Sequence, residues 1–195
     1  MLTNEEKVLK IMCEEDFLLF MRYIYKENNR RNFIVAPHFV LLANFVMRIV
    51  NGEVKRGIIN IPPRYGKTES LVKCFIAYGL AINPASKFIH LSYSSDLALD
   101  NSSQSKEYVE SEAFQKFWKM KLKKDAQGKQ KWFNESGGGV YATASGGAIT
   151  GFGAGVANSK IFSGAIIIDD PLKPDDANSE VKRSSVNERY NSTIR

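Results

Sequence analysis

Residues 58–68 read IINIPPRYGKT and decide the fold class, because an apolar run leads through a turn into Gly66, Lys67 and Thr68. Gly66 allows the backbone to approach phosphate oxygens, and the amides that open the following helix point at such an anion. Lys67 can neutralise β- and γ-phosphates, and the Thr68 hydroxyl can bind Mg²⁺. The usual pattern has a further glycine at the position of Ile61. A chance Gly-Lys-Thr at a helix start is therefore the alternative.

The surrounding residues have the strand–loop–helix order that this motif requires. Residues 58–61 predict a buried β-strand, and residues 68–80 predict a helix with apolar residues at helical spacing. About 100 residues later, residues 165–170 read AIIIDD, which predicts a buried strand with Asp169 and Asp170 at its carboxyl end. Open α/β sheets bind their ligands at that edge. A solvated acidic turn is the alternative for the second motif, but the two motifs together favour nucleotide binding.

The segments PPRYGKT (62–68) and IIIDDPLK (166–173) together resemble the ATPase domain of tailed-phage terminase large subunits, the motors that pump viral DNA into preformed capsids. The resemblance covers about residues 16–195 and includes Pro37-His38 and the glycine-rich stretch 137–155. It implies an α/β P-loop NTPase of the additional-strand type, with a mainly parallel sheet flanked by helices. It also implies a helical lid at 1–31 and an ATPase core at 32–195. In that family a further core strand and a nuclease domain follow, so we expect the sheet of this chain to be truncated at Arg195 and the nuclease domain to be absent.

This resemblance implies ATP and Mg²⁺ as cofactors and gives individual residues a role. Thr68 and Asp169 would hold the Mg²⁺, directly or through water. Asp170 would position the attacking water, although related motors often carry Glu there and Asp is shorter by a methylene group. Lys67 and Arg64 would join Asp170 as catalytic residues by stabilising the charge on the phosphate. The nucleotide would contact Pro63, Arg64, Tyr65, Gly66, Lys67, Thr68, Glu69 and His38.

Two of these residues have a second interpretation. Arg64 could reach the γ-phosphate and act as a sensor for ATP, or it could pair with a nearby carboxylate such as Glu69. His38 could hydrogen-bond an adenine, or it could cap the helix that begins beside it. The sequence leaves both choices open.

Composition favours one globular domain with an anionic partner. The chain has 195 residues, of which 44% are hydrophobic and 25% are charged, and its net charge is +6. The polar start, residues 1–10, predicts no secretory signal, and the lack of a long apolar run predicts no transmembrane helix. Cys13 and Cys74 lie far apart in predicted helices, which favours reduced thiols in a cytosolic protein.

The resemblance also implies partners and a location. The partners would be double-stranded DNA, a portal protein, a small terminase subunit and further copies of the chain in a ring, with no membrane partner. The location would be the bacterial host cytoplasm, with transient binding at the procapsid portal. Two other classes remain open: a helicase or other P-loop ATPase, and a truncated or remnant fragment that binds nucleotide, or nothing, without turnover.

The remaining segments yield simpler expectations. Thr3 and Glu6 have the spacing of a capping box, and the helix they start is expected to continue to Ile24. Further helices are expected at 37–50, 96–111 and 175–194, and a core strand at 87–93. The glycine-rich stretch 137–155 predicts short strands that form a hairpin beside the main sheet.

Residues 114–131 carry seven lysines with interleaved aromatic residues, and we expect a helix followed by a loop. Such a basic stretch could grip a DNA backbone without reading its sequence. The alternative is a solvated lysine-rich face whose aromatic side chains pack inward, and the spread of the lysines over a helix and its following loop favours this alternative.

Overall fold

The computed structural model describes residues 1–149 and 151–194, so Thr150 and Arg195 lie outside the described residues. The helices are α1 (Asn4–Glu15), α2 (Phe17–Asn29), α3 (Pro37–Val50), α4 (Phe75–Ile82), α5 (Ser95–Glu110), α6 (Glu112–Phe117) and α7 (Glu180–Arg189). The strands are β1 (Lys87–Ser92), β2 (Leu122–Gln127), β3 (Lys131–Asn134), β4 (Gly139–Ala144) and β5 (Ile166–Asp169). Shorter helical segments are the π-helical Glu69–Cys74 and Tyr190–Ile194 and the 3₁₀ turn Pro174–Asp176.

The five strands form one sheet in the order β2-β3-β4-β1-β5. β1 runs parallel to both β4 and β5, while β3 is antiparallel to β4 and to β2. Four strands therefore point the same way and only β3 opposes them. This confirms the expectation of an α/β fold with a mainly parallel sheet flanked by helices. β1 is buried along nearly its whole length, as strands covered on both faces are.

The N-terminal capping box forms as predicted, but the helix behind it is shorter than expected. The Thr3 hydroxyl accepts from the Glu6 amide, and the Glu6 carboxylate accepts from the Thr3 amide at 2.8 Å. The helix ends at Glu15, because the Asp16 side chain accepts from the amides of Leu18 and Leu19 and starts α2. An aspartate is a strong N-cap, so it divides one apolar pattern into two helices.

The first two helices pack directly onto α4 and share its core. Phe17 and Phe20 meet the ring of Tyr78 edge-on, with centroids 5.2 Å and 5.3 Å away. The Tyr78 hydroxyl also donates to the Glu14 carbonyl at 2.6 Å. Edge-to-face aromatic contacts of this kind add to the energy of apolar burial. The division into a lid at 1–31 and a core at 32–195 stays a prediction.

The strand expected at residues 58–61 is wrong. The segment forms no strand, and Ile58 is 89% exposed. It lies along α3 instead, where a Cβ at Gly57 would meet the Phe45 ring. β5 is the edge strand of the described sheet and its open side is available, but the segment does not pair with it, so the backbone of residues 58–61 takes part in no strand ladder. A correct apolar pattern therefore did not suffice to form a strand.

Two further expectations about the second half need correction. The lysine-rich stretch is helical only to Phe117, and the rest forms the antiparallel strands β2 and β3. The glycine-rich stretch does not form a separate hairpin, because β4 lies inside the main sheet between β1 and β3. A Cβ at Gly139 would lie 2.1 Å from the Trp132 carbonyl oxygen, so only glycine allows β4 to approach β3 at its start.

The helices at 37–50 and 96–111 and the strand at 87–93 are confirmed within one residue at each end. The helix expected at 175–194 is broken into a 3₁₀ turn, α7 and a π-helical segment. Both cysteines are buried and free. In the part of the chain that the structure describes, no helix is both long and apolar enough to cross a membrane.

The Tyr78→Phe variant should lose about 1 kcal/mol of unfolding free energy, because it leaves the Glu14 carbonyl without its buried donor. Urea denaturation gives the free energy of unfolding, and the two proteins can be compared directly if their m-values are equal. The matched control is Tyr25→Phe, whose hydroxyl has no hydrogen bond among the described residues. An equal loss in both variants would show that this link between α1 and α4 contributes nothing.

Candidate functional site

The carboxyl ends of the three parallel strands meet at one edge and are tied together there. Ser92 of β1 lies opposite both Ala144 of β4 and Asp169 of β5. The Ser145 amide donates to the Ser92 carbonyl at 2.6 Å, and the Tyr93 amide donates to the Asp170 carbonyl at 3.0 Å. This edge is where α/β sheets place their ligands.

The turn at Gly66 delivers a helix N-terminus to the same edge. Gly66 has φ +72°, and an added Cβ would lie 2.9 Å from the Phe39 ring, so conformation and space both require glycine. The first helical hydrogen bond runs from the Ser70 amide to the Gly66 carbonyl at 3.0 Å. The amides of residues 67–69 precede that ladder, and such amides bind anions in other proteins.

Side chains from the two motifs meet although they are about 100 residues apart. The Thr68 hydroxyl donates to Asp169 Oδ2 at 2.7 Å. Lys67 Nζ lies 2.6 Å from Asp170 Oδ1 and 3.5 Å from Asp169 Oδ1. The structure thus brings together the four residues for which the sequence predicts the phosphate and Mg²⁺ chemistry.

The two carboxylates have different surroundings. The Asp169 side chain is 10% exposed and the Asp170 side chain is 60% exposed. Burial of Lys67 acts to lower its pKa, but the hydrogen bond to Asp170 and the charges of both aspartates outweigh it, so the pKa is raised. Lys67 is therefore a stable cation held between a shielded and an open carboxylate.

The donor set at this point fits Mg²⁺ bound together with a phosphate. Thr68 and Asp169 offer two hard oxygen ligands 2.7 Å apart. Among the described residues no group of three or more His, Cys, Asp or Glu side chains could hold a metal ion by itself. Mg²⁺ typically takes one or two protein oxygens and completes its shell with water and substrate phosphates. A hydroxyl–carboxylate pair beside a lysine matches that requirement.

Arg64 and Asp170 both have a left-handed backbone. Their φ angles are +67° and +46°, a region that residues with a Cβ rarely occupy. Arg64 is exposed, and no hydrogen bond or ion pair engages its guanidinium within the described residues. Strained residues of this kind cluster at functional sites. The alternative pairing of Arg64 with Glu69 does not occur in the structure.

The remaining predicted residues are placed as follows. Glu69 turns away from the loop, because its carboxylate pairs with Lys73 at 3.1 Å and accepts a hydrogen bond from Tyr108. His38 Nε2 lies 3.1 Å from the Tyr65 carbonyl, so its ring contacts the loop backbone and caps no helix. Tyr65 is exposed, as is Pro63 in the turn before Arg64.

Sequence reasoning missed a buried polar layer beneath the site. His90 is fully buried on β1, on the same face as Asp169 and opposite Ile167. Its Nδ1 and the Oγ of Ser70 have no hydrogen-bond partner within the described residues. Burial lowers the pKa of His90, although the Asp169 charge acts in the opposite direction. A polar residue inside an apolar strand pattern was the available signal.

No protein-family model matches the chain, and no curated protein matches it at a level that indicates common descent. The argument for function therefore depends on the geometry of the site.

Replacement of His90 by glutamine should flatten the dependence of stability on pH. With a folded-state pKa below the ordinary value of 6.5, the unfolded chain binds more protons, so wild-type stability falls as the pH drops below 6.5. In His90→Gln the decline should be less steep, by up to about 1.4 kcal/mol per pH unit. Urea unfolding at several pH values between mildly acidic and neutral gives the free energy of unfolding as a function of pH. His38→Gln, which removes the other histidine, is the control; an equal change there would contradict the assignment.

Proposed function

We propose that this chain binds Mg²⁺·ATP and hydrolyses it, as the ATPase domain of a phage DNA-packaging terminase large subunit. The observation that carries the proposal is the convergence of Lys67 and Thr68, at a helix N-terminus, with Asp169 and Asp170, at the end of β5. A lysine, a hydroxyl and two carboxylates at the carboxyl edge of a parallel sheet are the groups that phosphoryl transfer to water requires.

Each residue has a separate task in this proposal. Lys67 and the amides of residues 67–69 bind the β- and γ-phosphates, and Thr68 with Asp169 holds the Mg²⁺, which neutralises phosphate charge when bound. Asp170 is the more exposed carboxylate, so it can accept a hydrogen bond from the attacking water. Lys67 must exchange part of its contact with Asp170 for phosphate oxygens.

The assembly belongs to the same proposal and is supported by the sequence resemblance alone. A terminase ATPase would act in a ring of identical subunits on double-stranded DNA, with the portal protein and the small terminase subunit as partners. It would work in the bacterial host cytoplasm and bind the procapsid portal transiently.

A second candidate is a chain that binds nucleotide without turnover. One observation favours it: residues 58–61 form no strand, so the loop that leads to Gly66 is not anchored in the sheet on that side. Loss of anchoring affects the placement of reacting groups more than the attraction between Lys67 and phosphate. Binding and turnover must therefore be measured separately.

The Lys67→Ala variant should bind Mg²⁺·ATP about 10- to 100-fold more weakly than the wild-type chain, because a charge-assisted contact to phosphate is lost. Isothermal titration calorimetry gives the affinity, and release of inorganic phosphate gives the turnover. The matched control is Lys55→Ala, an exposed lysine of the segment that leads to the loop. Wild-type affinity in Lys67→Ala would remove the phosphate loop from the proposal. Binding without phosphate release in the wild-type chain would favour the second candidate.

The Arg64→Ala variant should retain nucleotide binding and lose turnover by roughly 10³-fold, because an arginine on the γ-phosphate acts mainly in the transition state. Steady-state phosphate release, with kcat and KM determined separately, is the measurement. Arg56→Ala changes an exposed arginine of the same segment and serves as the control. Equal kcat values in Arg64→Ala and the wild-type chain would exclude Arg64 from the chemistry.

A further inference from the structure

Most of the net positive charge of the chain lies in two antiparallel strands at the edge of the sheet opposite β5. We call residues 119–131, which comprise β2, its turn and the start of β3, the lysine ribbon. The lysine ribbon has a net charge of +5, against +6 for the whole chain. Its lysines, all exposed, are Lys119, Lys121, Lys123, Lys124, Lys129 and Lys131. The other 182 residues are therefore close to electrically neutral.

Few of these lysines form ion pairs within the described residues, although Glu110 and Glu135 line the same surface depression as Lys121 and Lys124. Lys129 lies 3.6 Å from Asp100, and both side chains are exposed. Lys131 lies over the ring of Phe133, 5.3 Å from its centroid. The other four lysines of the ribbon form no ion pair with a described residue. Asp125 is the ribbon's own acidic residue. The surface therefore presents a concentrated positive potential to solvent.

The lysines project from both sides of the ribbon. Neighbouring residues of a strand point to opposite faces, so Lys123 and Lys124 of β2 diverge. The register between β2 and β3 shifts between Leu122 and Gln127, which increases the local twist. A twisted two-stranded ribbon with cations on both faces can contact anions on two sides at once.

Protection of an open sheet edge does not explain this distribution. Lysines on an edge strand prevent pairing with other chains, and Lys123 and Lys124 on β2 are enough for that purpose. Lys119, Lys129 and Lys131 lie outside β2, where they protect no open edge. Edge protection does not account for these three lysines, and an anionic ligand would account for them.

We infer that the lysine ribbon binds the phosphate backbone of duplex DNA without reading base sequence. β2 is the open edge of the sheet, and the lysines on its two faces and in the neighbouring turn can contact phosphates along one duplex. The aromatic residues that precede the ribbon, Phe117 and Trp118, are buried in the core, so they cannot stack on unpaired bases. The ribbon also presents no exposed apolar side chain that would enter a lipid surface.

This inference depends on the charge and shape of the lysine ribbon and holds whether or not the chain hydrolyses ATP. The ribbon is at the β2 edge of the sheet and the nucleotide site is at the β5 edge. A variant of the ribbon should therefore retain its Mg²⁺·ATP affinity. Failure of nucleotide binding in the wild-type chain would leave the DNA measurement fully interpretable.

The test is fluorescence anisotropy with a labelled duplex of mixed sequence, titrated without nucleotide at several salt concentrations. The ribbon variant carries Lys121→Gln, Lys123→Gln, Lys124→Gln and Lys131→Gln. It should bind at least about 10-fold more weakly near 0.1 M salt, and the slope of log affinity against log salt should fall by about 3 to 4, since each phosphate contact contributes about 0.9. Changing the duplex sequence should leave the affinity unchanged.

The matched control removes the same number of exposed lysines elsewhere, as Lys7→Gln, Lys26→Gln, Lys160→Gln and Lys182→Gln. It should keep most of the wild-type affinity. Equal losses in both variants would overturn the inference, because net charge alone would then explain binding. Wild-type DNA affinity in a ribbon variant that self-associates would overturn it in favour of edge protection. Tighter binding to anionic vesicles than to duplex would overturn it in favour of a membrane surface.

Discussion

The hydrogen bond from Thr68 to Asp169 is the contact on which the geometry of the site depends. It joins the first turn of the helix after Gly66 to the edge strand β5, across 101 residues of sequence. The helix continues through a π-helical segment into α4, whose apolar residues are in the main core. The ion pairs of Lys67 with Asp169 and Asp170 join the same two segments, so the hydrogen bond and the ion pairs act together.

Several of the elements predicted correctly from the sequence have local stability. The capping box at Thr3 and the proline at the start of α3 depend on residues within a turn of each other. Residues 58–61 have an equally clear pattern, but a strand forms only when its backbone pairs with a neighbour, and this segment does not pair with the open side of β5. The position of β4 depends likewise on which strands flank it, and that is a property of the whole sheet.

The same distinction applies to the candidate site. The meeting of Lys67 and Thr68 with Asp169 and Asp170 could be predicted, because parallel strands place their carboxyl ends at one edge. The partners of Glu69 could not, because the Tyr108 hydroxyl arrives from α5 through tertiary packing. The buried position of His90 was equally hidden, since no local rule states which side of a central strand faces the helix that carries Thr68. Residues that support a site are thus harder to predict than residues that touch the ligand.

The two proposed surfaces lie at opposite edges of one sheet, and this arrangement has an electrostatic reason. Asp169 and Asp170 need a cation to hold phosphate nearby, and Lys67 provides it at close range. A second basic cluster beside them would compete with Mg²⁺ for the carboxylates. β2 is separated from β5 by β3, β4 and β1, and each strand interval is about 4.8 Å, so the distance between the two edges exceeds the Debye length at physiological salt. The sheet would therefore keep the proposed polyanion surface and the proposed nucleotide surface largely independent in their electrostatics.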